Sequence, residues 1–88
     1  MNAGKRYLIL TLRTAQFDPQ ALDPHYAHLD ALRAQGRLEL AGPFSDRSGG
    51  AYLVRAGNLA EAEEIAFADP VHTSGSSDVT VHEWNASP

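Results

Sequence analysis

Four strand-like and two helix-like segments in the order β-α-β-β-α-β predict an α+β fold, a four-stranded antiparallel sheet with two helices on one face. Three observations carry this. Residues 7–12 form an apolar run, two helical stripes end at recognisable stops, and a Gly-rich turn separates two short alternating segments. At 88 residues the chain is expected to be a single domain over 1–88. So small a domain has a thin core, which a partner subunit would help to cover.

The run Tyr7-Leu8-Ile9-Leu10-Thr11-Leu12 is apolar on both alternating faces and rich in strand formers, as a central strand should be. After a loop holding Phe17-Asp18-Pro19, Asp23 and Pro24 read as the N-cap and first position of a helix that stops at Gly36. Successive steps of 100° place Leu29 and Leu32 within about 40° of His25, so that His25 points inward, with His28 on the flank. Asp30, Arg33 and Ala34 fall on the side expected to meet water.

Leu38-Glu39-Leu40-Ala41 alternates as a half-buried strand and is expected to stop at Gly42-Pro43, because proline cannot donate within a central ladder. The cluster Asp46-Arg47-Ser48-Gly49-Gly50 turns the chain into a return strand, Ala51-Tyr52-Leu53-Val54. Asn58 and Glu61 have the spacing of an N-cap and its capping-box partner. They open a helix with the stripe Leu59, Ala62, Ile65 and Ala66, closed by Asp69-Pro70 because a residue before proline avoids the helical region. Asp69 is thereby expected in the last helical turn, facing inward. The fourth strand, residues 79–84, puts Val79 and Val81 on one face and Thr80, His82 and Trp84 on the other.

This is the split βαβ, or ferredoxin-like, arrangement. It leaves one apolar sheet face bare, and two such sheets packed face to face would cover it. A homodimer built as an α+β barrel is the expected consequence.

Composition narrows the functional classes. Cysteine is absent, which removes a disulfide framework, a thiolate metal site and a Cys nucleophile. The chain has 7 Lys and Arg against 11 Asp and Glu, a net charge of -4, whereas phosphate binding needs a basic patch. No nucleic-acid role is therefore expected. No apolar run approaches the roughly 18 residues of a spanning helix, and the N-terminal Lys5-Arg6 pair precedes too short an apolar stretch for a secretory leader. A cytoplasmic protein without a membrane partner is the expectation.

Two inward-facing titratable residues stand out in an otherwise apolar helical layer. Burying His25 or Asp69 alone would cost a few kcal/mol, so each needs a partner. In the first turn of its helix His25 is held neutral by the dipole, and in the last turn Asp69 would have its pKa nudged upward. Paired, they form a general acid and base for proton abstraction next to a carbonyl. Unpaired, each is a polar group satisfied by nearby backbone, and spacing alone leaves both readings open.

His28 and His72 could extend the pair toward a metal, but His25 and His28 stand at i, i+3 rather than the i, i+4 of known helical zinc signatures, so no metal is expected. No serine lies in a G-x-S-x-G elbow, and Gly49-Gly50 and Ser74-Gly75 lack the strand-to-helix context of a phosphate cradle. No organic cofactor is implied.

The residues Pro24-His25, Leu29, Leu32, Gly36-Arg37-Leu38 and Ala41-Gly42-Pro43, followed by Ala68-Asp69-Pro70 and Gly75, resemble the YCII-related (YciI-like) family. The resemblance spans roughly residues 6 to 84. It implies a dimeric α+β barrel with a His and Asp pair in a pocket, mapped onto His25 and Asp69. It also implies kinship with muconolactone isomerase and dehalogenase chemistry. Two positions depart from the family pattern. Leu22 stands where many relatives have Arg, and Ser76-Ser77 where they are often apolar, which implies a more polar rim. Arg13, Ser45, His72 and Ser74 are the expected substrate contacts. The expected function is proton transfer or elimination on a small, carbonyl-containing or anionic organic molecule. The alternative is a non-catalytic ligand-binding or accessory module.

Overall fold

The computed structural model describes residues 4–88. Residues 1–3, and with them the start of the expected single domain and of the segment weighed as a leader, lie outside the described residues. The chain runs β1 (Lys5–Arg13), a 3-10 turn (Pro19–Ala21), α1 (Leu22–Ala34), β2 (Leu38–Pro43), β3 (Gly49–Ala56), α2 (Leu59–Phe67), a one-turn α3 (Pro70–Thr73) and β4 (Ser77–Glu83). The strands form one antiparallel sheet in the order β2-β3-β1-β4. The expected ferredoxin-like α+β fold is present, with one short helix added before the last strand.

Alternation along the strands divides the sheet into two faces. Tyr7 and Ile9 of β1, Tyr52 and Val54 of β3 and the half-buried Val79 and Val81 of β4 pack with Leu29 and Leu32 of α1 and Ala62, Ile65 and Ala66 of α2. Register explains the match, since Ile9 pairs with both Tyr52 and Val81. Leu8, Leu10 and Leu12 point the other way, beside Leu53 and Leu40. On that face Leu40 is 69% and Leu12 46% exposed.

Several element ends differ from the sequence reading, each for a local reason. Asp23 is not the N-cap of α1. The helix starts at Leu22, two residues before the expected first position, behind the 3-10 turn, whose cap is Asp18, accepting from the Gln20 amide at 2.9 Å. Pro24 becomes the third helical residue, where its missing N–H would have had no partner anyway. The other end follows expectation. Gly36, at φ +73°, and Arg37 donate to Arg33 and Leu32 carbonyls, the paired bonds of a Schellman closure.

β2 continues through Gly42-Pro43 because it is an edge strand, where a proline need not donate. Gly49 and Gly50 belong to β3 rather than to the turn. A Cβ on Gly49 would lie 1.9 Å from the Thr11 carbonyl oxygen, so only glycine allows this approach to β1. Asn58 caps α2 as expected, accepting from the Glu61 amide at 2.9 Å. The reciprocal half of the box is missing, because the Glu61 carboxylate is bonded to Arg37.

Candidate functional site

Three elements deliver three polar side chains to one buried point. His25 enters from the first turn of α1, Asp69 from the junction of α2 and α3, and Tyr52 from the inner face of β3. His25 Nδ1 lies 2.9 Å from Asp69 Oδ1 and 2.8 Å from Oδ2. Tyr52 donates its hydroxyl to Oδ2 at 2.9 Å, and the Val71 amide donates to Oδ1 at 3.0 Å. The Asp69 side chain is fully buried and that of His25 is 12% exposed.

The structure corrects the expected electrostatics of Asp69. It does not end α2; in extended conformation before Pro70, it caps the start of α3. Burial works to raise its pKa, but the hydrogen bonds from His25, Val71 and Tyr52 and the nearby imidazole outweigh it, so the carboxyl titrates below the usual range. Tyr52 responds in the opposite sense. Burial and the Asp69 charge push its hydroxyl well above the usual tyrosine range, so it stays a donor.

An ionised Asp69 can only accept, which places the proton of a neutral His25 ring on Nδ1. Nε2 is then the ring nitrogen not committed to Asp69, and His25 lines a cavity. This cavity has a volume of about 220 Å³ and lies between α1 and one end of the sheet. A cavity of about 150 Å³ can hold benzene, so the space suits one substituted ring or a molecule of that size. Leu22, Tyr26 and Leu29 form an apolar helical wall, while Thr11, Tyr52 and Ser77 bring polar groups from the sheet.

Arg13 and Arg33 line the cavity, and among the described residues no Asp or Glu does. The Arg13 guanidinium lies 4.1 Å above the Phe17 ring, and Arg33 pairs with Asp30 at 2.6 Å. Arg33 was expected to meet only water. It is exposed, yet its place one turn beyond Leu29 brings it to the cavity wall.

The other expected contacts fall outside the lining. Ser45 sits exposed in the hairpin loop, beyond the extension of β2 to Pro43. His72 is exposed and packs its ring 4.7 Å from that of Phe67. Ser74 bonds Ser76 Oγ at 2.7 Å, and buried Ser76 accepts from the Asp18 amide. That segment is therefore tied to the loop after β1, and of the two serines expected at the rim only Ser77 lines the cavity. His28 serves the helical layer, bonding the Ile65 carbonyl at 3.0 Å. Tyr52, in the sequence only a residue of the return strand, joins the site; a tyrosine on an inward strand position is one whose hydroxyl needs a buried partner.

Comparison with known proteins adds a lineage to this geometry. Residues 6–85 match the YCII-related domain. The uncharacterized protein YjpA of Bacillus subtilis (strain 168) is 51% identical over 78 residues, which cover 89% of this chain and 92% of that protein. Among solved structures, the chain is similar to 5-chloro-2-hydroxyhydroquinone dehydrochlorinase (TftG) from Burkholderia phenoliruptrix AC1100 in complex with 2,5-dihydroxybenzoquinone. The TM-score is 0.75 at 20% identity, over 93% of this chain and 95% of that one. Identity at that level speaks for a shared fold.

Proposed function

This chain belongs to the YCII-related family, and on that premise we propose that it is a small-molecule enzyme that carries out proton transfer or elimination. The observation that carries the reading is the buried contact between His25 Nδ1 and the Asp69 carboxylate at 2.8 Å, on the wall of a ring-sized cavity. Asp69 fixes the tautomer and stabilises the imidazolium that forms when Nε2 takes a proton. His25 then returns that proton as a general acid. A dehydrochlorinase works on the same fold, although fold by itself does not assign chemistry.

The substrate is a small organic anion or a carbonyl compound that becomes anionic as the proton leaves. Arg13 and Arg33 favour such charge, Arg33 in part neutralised by its pair with Asp30, and among the described residues no Asp or Glu lines the cavity to oppose Arg13. Arg13 is the one substrate contact retained from the sequence reading. Leu22, on the same wall, supplies an apolar surface instead of a third cation.

The working unit is a homodimer in which the outward sheet faces of two copies meet as an α+β barrel. The exposed Leu12 and Leu40 support this, since the same apolar face on both partners satisfies two-fold symmetry. A monomer by light scattering at micromolar concentration would contradict it. We read the whole chain as one domain acting in the cytoplasm. A cysteine-free chain suits a reducing compartment, and among the described residues no helix is long and apolar enough to cross a membrane.

Thermal-shift measurements with a panel of small carboxylates, phenols and keto acids test the assignment. A ligand at a hundred times its Kd stabilises the folded state by about 2.7 kcal/mol. The expected result is a ligand that raises the melting temperature of the wild type, little or not at all that of His25→Asn, and less that of Arg13→Gln. Equal shifts in wild type and His25→Asn would point to a binding or accessory module and sink the catalytic reading.

A further inference from the structure

Asp69 can accept from several donors at once, and each donor changes what the carboxylate does to its neighbours. Val71 supplies one from the backbone, at Oδ1. At Oδ2 the donor besides His25 is a side chain, the Tyr52 hydroxyl at 2.9 Å. We propose that Tyr52 is a positioning residue that acts on His25 through Asp69, holding the carboxylate turned on Nδ1 and tempering its pull on the ring proton. The proposal rests on reading His25 as the acid-base group, but its test needs no ligand.

The placement of Tyr52 suits this task. It is 2% exposed, its ring belongs to the core cluster, and its backbone is paired with Ile9 in the centre of the sheet. A phenol fixed by packing has few rotamers to lose, so its hydroxyl stays where the sheet puts it. Without it, Oδ2 would keep its contact with His25, Oδ1 its contacts with His25 and the Val71 amide, and rotation of the carboxylate about Cβ–Cγ would be less restrained. The Tyr52 and His25 rings lie 6.0 Å apart at 58°, so any direct influence between them passes beside the shared carboxylate.

The direction of the effect follows from charge. A hydrogen bond from Tyr52 withdraws electron density from Asp69 and makes it a weaker acceptor for Nδ1–H. Losing that bond concentrates the negative charge on His25 and raises the ring's affinity for a second proton. Among the described residues, the other charged or titratable groups on the elements that surround His25 include Tyr26, with its ring 5.4 Å away, Arg13 and Arg33 on the same cavity, and His72 on α3, which packs against α1. None of them is removed by a change at Tyr52.

Titration of the His25 ring by NMR reads the effect in the free protein. In Tyr52→Phe the midpoint is expected to rise by about half a pH unit, a roughly threefold gain in proton affinity. A fluorinated tyrosine at position 52, a stronger donor of nearly the same volume, is expected to lower it, and this substitution serves should Tyr52→Phe fail to fold. Ser76→Ala removes another buried hydroxyl that touches neither His25 nor Asp69 and is expected to leave the midpoint in place. An unchanged midpoint in both Tyr52 variants, or an equal shift in Ser76→Ala, would overturn the proposal. Either outcome leaves the ligand screen to judge His25 itself.

Discussion

Two clusters of opposite charge brace this small fold, and they differ in what surrounds them. At the cavity, His25, Asp69 and Tyr52 meet with side chains 12% exposed or less. On the strands, Glu39 accepts from Arg6 at 3.2 Å and Arg55 at 2.9 Å, with side chains 24% to 38% exposed. Water screens the second cluster and can replace any member of it. In the first, every oxygen of Asp69 has assigned donors and a lost donor is not replaced. The same kind of contact is a surface brace in one place and a directional device in the other, and burial makes the difference.

Substitutions should separate the two clusters. Asp69→Ala breaks a buried pair and should cost about 3–5 kcal/mol in denaturant unfolding, the largest effect expected here. A cost under about 1 kcal/mol would mean that the cluster is no more than a solvated contact. Tyr52→Phe leaves Asp69 with its other donors, so its cost should be smaller, about 1–2 kcal/mol. Glu39→Gln should cost less than about 1 kcal/mol and lose even that at high salt. A larger loss there would erase the distinction.

Acid provides a further comparison. Because the folded protein holds the Asp69 carboxyl below its usual range, the unfolded chain binds its proton first as pH falls. The stabilisation from Asp69 is therefore fully present above the ordinary carboxylate value of about 3.9 and is lost as pH falls through the lower folded value. Wild type should lose its advantage over Asp69→Asn progressively below about pH 4, as followed by urea unfolding at several pH values. A difference that stays constant to pH 2 would contradict the assignment.

The sequence contains Asp-Pro three times, and these pairs show what could be read in advance. Asp69-Pro70 was correctly read as a break, because the residue before proline is extended; Pro70 also starts a new turn, which a four-residue helix is too short to announce by periodicity. Before α1, Asp23-Pro24 reads as the helix start and Asp18-Pro19 as loop, whereas Asp18 caps a 3-10 turn that leads straight into α1, which has no side-chain cap of its own. α1 starts two residues before the position that Asp23-Pro24 predicts, and His25 still faces the interior because the apolar stripe sets its direction. The order of elements along the chain and the division of β4 into two faces are legible for the same reason: alternation is a local pattern that tertiary packing preserves. Tyr52 and Arg33 are not. One reaches its acceptor across 17 residues of sequence and the other rounds the cavity rim from an exposed helix face, and neither fact has a local trace.

In the proposed reaction His25 moves a proton between its ring and a ligand in the cavity. Incubation in D2O with a ligand from the screen that carries a C–H next to a carbonyl, followed by proton NMR, tests it most directly. Wild type should exchange that hydrogen for deuterium at a rate at least a hundredfold above His25→Asn, the lower range of what a positioned acid-base group supplies. A ligand that binds the wild type but exchanges no faster than in the variant would rule out proton transfer by His25.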